Sequence, residues 1–150
     1  KIGDGRILLE SEQGSVMKEG YDVLAVDAFS DDAIPTHLLT VEAFEAYAER
    51  LRSLKSLLVI HLSNRYLNLA PLVFRVAAEI GFNAMLVQDG GGSSLGGTPS
   101  AWMVLSKDAA VFQSTIFANT NSSFPDPIAR AWTDDYSSLI PILDIGMPWN

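Results

Sequence analysis

The chain has 150 residues, 18 acidic against 10 basic, a net charge of −8 and no cysteine. That length predicts one domain able to bury a core. The acidic balance argues against nucleic acid as a partner, because phosphate contacts need Lys and Arg, and it favours cationic ligands such as polyamines. The absence of cysteine excludes disulfides, thiolate metal sites and cysteine nucleophiles. No apolar run approaches the roughly 20 residues of a membrane helix, and the first residues carry no signal-peptide pattern, so the chain reads as soluble.

In chain order, Lys1-Ile2 reads as the end of a strand, followed by Gly3-Asp4-Gly5 and a short helix from Arg6 to Glu10 with Ile7, Leu8 and Leu9 facing inward. Val23-Leu24-Ala25-Val26 predicts a central parallel strand covered on both faces, since neither face alternates with polar residues. It stops at an acidic loop holding Asp27, Asp31 and Asp32. Thr40 caps a predicted helix to about Ser53, with Glu42 in its first turn and Phe44, Tyr47, Ala48 and Leu51 along one face. Leu57 to Ile60 is the next buried strand, and His61-Leu62-Ser63-Asn64-Arg65-Tyr66 the polar loop at its carboxyl end. After Asn68 a helix carries Leu69, Leu72, Val73, Val76, Ala77 and Ile80, with Pro71 in the first turn and Gly81 as its stop.

Residues 83–87 and 101–105 predict two strands that pair antiparallel, because the glycine-rich run between them leaves no room for a crossover helix. Ala109 to Phe117 predicts a helix over the sheet and Ile128 to Trp132 a short helical turn. Together the elements predict an α/β fold, a partial Rossmann-like and mostly parallel sheet with an antiparallel hairpin toward its C-terminal part.

The glycine-rich run 90–97 lacks the Gly-Lys-Ser/Thr ending of a P-loop and does not lead into a helix, so it reads as a hairpin connection. No Gly-x-Ser-x-Gly surrounds Ser30 or Ser63. His61 reads as a hydrogen-bonded structural residue and His37, beside Pro35, as a loop residue, and with scattered aspartates they form no metal spacing. What remains is a set of polar loops at successive strand ends: Asp4, then Asp27 with Asp31 and Asp32, then Ser63-Asn64. An aspartate flanked by glycines suits an adenine amino group or a ribose hydroxyl. Carboxylates at the second loop suit an ammonium group and the proton lost when an amine attacks.

These motifs resemble the spermidine synthase (polyamine aminopropyltransferase) family, built on the class I S-adenosylmethionine methyltransferase fold. Gly3-Asp4-Gly5 is similar to its adenine loop, and Tyr21 to Asp27 to the strand ending in its catalytic aspartate. The segment Asp27-Ala28-Phe29-Ser30-Asp31-Asp32-Ala33-Ile34-Pro35-Thr36-His37-Leu38-Leu39-Thr40 resembles a bacterial branch often fused to membrane segments, as do residues 61–67 and 132–137. The resemblance implies that Asp27 orients and deprotonates the attacking amine, and that Asp31, Asp32, Ser30 and Tyr66 bind the diamine. It implies that Gly3, Asp4, Gly5 and Ala28 bind the co-substrate, decarboxylated S-adenosylmethionine or S-adenosylmethionine. A cytoplasmic domain is expected, with a membrane anchor in some parents.

The loop after Asp27 is longer than the family's Ser-Asp-Pro version and lacks its glycine. The family's first strands, with the rest of the nucleoside pocket, are missing from these residues, so the 150-residue chain alone is expected to turn over little. Two other readings stand beside aminopropyl transfer: a methyltransferase in which Asp27 only positions the acceptor, and a non-catalytic module whose open sheet edge pairs with a second copy as a homodimer.

Overall fold

A computed structural model describes residues 4–11, 20–27, 35–64, 66–91, 98–118 and 120–144. The strands are β1 (Val23–Val26), β2 (Leu57–His61), β3 (Asn83–Asp89), β4 (Ser100–Ser106) and β5 (Ser122–Ser123). The α-helices are α1 (Gly5–Ser11), α2 (Val41–Ala48) and α3 (Ala70–Glu79).

The sheet runs in the order β1-β2-β4-β3-β5. This corrects the expected mostly parallel sheet. Among the described strands only β1 and β2 pair parallel, whereas β2–β4, β4–β3 and β3–β5 are antiparallel. The cause is the hairpin: β4 folds back from β3 and enters between β3 and β2, so these two strands, which point the same way, are never neighbours. The molecule is therefore a mixed α/β open sheet, with β1, β2 and β3 delivering their carboxyl ends to one edge.

One sheet face forms the core. Leu58 and Ile60 of β2, Met103 and Leu105 of β4, and Ala84 and Leu86 of β3 cluster with Phe44 and Tyr47 of α2 and with Leu72, Val73, Val76 and Ala77 of α3. The helix α3 follows its apolar period closely, with Pro71 in the first turn and Gly81 at φ 75° just beyond its end. In α2, Thr40 accepts from the Ala43 N–H at 3.2 Å as the N-cap.

Some elements depart from expectation. The strand β1 lies at the sheet edge among the described residues, not at its centre, and Val23 is 56% exposed. The helix α2 ends at Ala48 rather than Ser53, because Leu51 leaves it to bridge Tyr21 beside β1. That crossing is tight. Gly20 sits at φ +65°, and a Cβ there would lie 2.8 Å from the Arg52 backbone nitrogen. Residues 109–113 form a 3₁₀ helix without a buried side chain, and residues 128–132 are irregular. Ile7 on α1 is 64% exposed, so only Leu8 and Leu9 face inward. The expected strand end at Lys1-Ile2 lies outside the described residues.

Among the described residues, no helix is long and apolar enough to cross a membrane.

Candidate functional site

The pairing registers build one row of side chains across the sheet. Val26 is level with Ile60, His61 with Trp102, and Trp102 with Val87. Asp27, one residue past β1, is therefore level with His61. Because side chains alternate along a strand, Asp27, His61, Trp102 and Val87 share the face opposite the helical core. Within this row His61 Nδ1 lies 2.7 Å from Asp27 Oδ1, and the His61 ring stacks on Trp102 with centroids 4.5 Å apart and planes inclined by 23°.

A cavity of about 370 Å³ opens along β1. Leu24, Ala25, Val26 and Asp27 all line it, so the backbone edge of the strand, rather than one of its faces, borders the space. Gly5 and Arg6 at the start of α1 and Tyr47 of α2 close the other side. At the carboxyl ends of β2 and β3, a groove of about 800 Å³ lies between the loops that follow these strands. Ser63, Asn64, Asn68, Gln88, Asp89 and Asp144 line its polar part. Its loop is tied down locally, with Ser63 Oγ accepting from the Ala101 N–H at 2.9 Å and Asn64 Oδ1 accepting from the Tyr66 and Leu67 N–H groups.

Beside the first cavity a polar network joins three distant segments. Asp4 caps α1, its Oδ1 accepting from the Arg6 and Ile7 N–H groups, while its Oδ2 lies 2.7 Å from His37 Nε2. The Ile7 amide, followed by the His37 contact, holds the Asp4 carboxyl below the usual carboxylate range. Arg6 donates both guanidinium nitrogens to Asp134 at 2.7 and 2.6 Å, and Thr40 Oγ1 donates to the same carboxylate at 2.8 Å. The Arg6 contact is the main reason the Asp134 carboxyl is also lowered. Trp132 is fully buried, and its carbonyl accepts from the Val41 N–H at 2.9 Å, which seats the segment after β5 on the start of α2.

No protein-family model, curated protein or solved structure matches the chain.

Of the residues the sequence singled out, Asp27 and Gly5 line the same cavity. Asp4 stands at the start of α1 with both carboxylate oxygens engaged. Tyr66 is 57% exposed and lines neither the cavity nor the groove. Gly3, Ala28, Ser30, Asp31 and Asp32 lie outside the described residues. Sequence reasoning assigned His61, Arg6 and Asp134 no part in the site. His61 was within reach: the row becomes visible once β1 and β2 are paired in parallel with Val26 beside Ile60. Arg6 and Asp134 are 128 residues apart and left no local signal.

Proposed function

We propose that the chain is a spermidine synthase-like transferase domain on a methyltransferase-type fold, which moves an aminopropyl group from decarboxylated S-adenosylmethionine to a diamine such as putrescine. One observation carries the reading: Gly5, from the loop that resembles an adenine site, and Asp27, from the strand that resembles a catalytic one, border a single cavity that runs along β1 and reaches its carboxyl end at Asp27. The sulfonium nucleoside would occupy the side toward α1. The Asp27 carboxylate, 59% exposed, would attract the ammonium end of the diamine. The net charge of −8 favours that cation over anionic ligands.

In the reaction the ammonium loses a proton to the site, and the freed lone pair forms a C–N bond at the methylene carbon next to sulfur. The C–S bond breaks with its electrons left on sulfur, which leaves as a neutral thioether. The main contribution of the site is to hold the amine and that carbon together in line.

Calorimetry on the 150-residue chain tests the binding half. Putrescine and methylthioadenosine are expected to bind, and Asp27→Asn to weaken putrescine without affecting the nucleoside. Turnover is read by product analysis in the longest natural polypeptide containing these residues, where Asp27→Asn is expected to cost at least about 100-fold. Methyl transfer from S-adenosylmethionine would replace this reading with the methyltransferase one. Failure of both ligands to bind, together with a stable dimer by light scattering, would favour an interaction module.

A further inference from the structure

We propose that His61, not Asp27, accepts the proton at this site, through Nε2, and that Asp27 is the positioning residue that fixes the imidazole for the task. The inference rests on the transfer reading for its substrate, and on the geometry of the row for the assignment.

An ionised carboxylate can only accept hydrogen bonds, so the 2.7 Å contact between Asp27 Oδ1 and His61 Nδ1 places the imidazole proton on Nδ1. In the neutral ring the lone pair is then on Nε2. Nε2 makes no hydrogen bond among the described residues. Trp102 covers one face of the ring at 4.5 Å and limits its rotation, so the ring presents its Nε2 edge in a fixed direction. The His61 side chain is 21% exposed and stands beside Asp27, which lines the cavity that His61 itself does not line.

The other histidine makes the contrast. In the His37–Asp4 pair the nitrogen engaged is Nε2, the ring is 50% exposed, and the carboxylate already caps a helix. That pair joins segments. The Asp27–His61 pair leaves Nε2 without a hydrogen bond among the described residues, the arrangement in which a carboxylate orients a histidine base.

The step balances. The diamine ammonium gives one proton to Nε2, forming an imidazolium whose Nδ1–H stays on Asp27. The amine lone pair forms the C–N bond as the C–S bond opens, and the imidazolium returns its proton to water after the thioether leaves.

Two measurements separate this proposal from the reading beneath it. Nitrogen-15 NMR of the histidine rings in the wild-type chain is expected to show His61 as the Nδ1–H tautomer, a mixture of tautomers in Asp27→Asn, and a shift of Nε2 on adding putrescine. Kinetics of His61→Ala are expected to show kcat lowered about 10²–10⁴-fold with KM for the sulfonium donor retained, and partial recovery with added free imidazole. An Nε2–H tautomer, or no response of Nε2 to putrescine, would overturn the proposal even if His61→Ala fails to fold. Transfer at the wild-type rate in His61→Ala would overturn it and leave the function standing. An Nε2 response without transfer from either sulfonium donor would uphold the proton site and remove the proposed function.

Discussion

Asp134 is the carboxylate on which three segments converge, and its titration is measurable. Arg6 and Thr40 both donate to its ionised form, and the amides of the first turn of α1 do the same for Asp4. Both carboxyls therefore have a lower pKa in the folded chain than in the unfolded one. A lowered carboxylate contributes stability that is present above its unfolded value and lost as pH falls through its folded value. The chain is thus expected to lose stability as pH drops below about 4, and Asp134→Asn to flatten that acid limb while lowering stability at neutral pH. Urea unfolding at a series of pH values checks both. An acid limb equally steep in Asp134→Asn would show that the network adds nothing. At this scale the sequence was least informative, because the Arg6–Asp134 contact comes from the docking of the chain's last third on its first helix.

Elements were more legible, and unevenly so. The helix α3 could be read because its apolar spacing, Pro71 and Gly81 are all local features. The β3–β4 hairpin could be read because the short connection allows nothing else. What the sequence did not reveal is where that hairpin docks, since β4 and β3 are both largely apolar and either could in principle have met β2. Burial records the outcome: Met103 of β4 lies between Ile60 and Leu86 and has no exposed surface. Met103→Ala is expected to cost about 2–5 kcal/mol, by lost burial and by the cavity it leaves between two strands. Val23→Ala on the exposed face of β1 is expected to cost less than about 1 kcal/mol. Chemical denaturation distinguishes the two, and equal losses would contradict the central position of β4.

For the molecule as a whole, the sheet order has a consequence for the sequence of opening events. The β3–β4 ladder closes a short loop, whereas β2 must cross roughly 40 residues to reach β4, and β1 is attached through a four-residue pairing with β2. Loop closure of this kind favours the hairpin as an early unit and leaves β1 with hydrogen bonds on one side only among the described residues. Amide exchange is accordingly expected to be fastest in β1, slower in β2 and slowest in β4; protection of Ala25 equal to that of Val104 would refute this order. The carboxylate that orients His61 therefore stands at the end of the least protected strand, and the imidazole on a better protected one. Each time β1 detaches, the proton-accepting ring would lose its tautomer lock without the core unfolding, so the fraction of time the site is competent is set by fraying at one sheet edge.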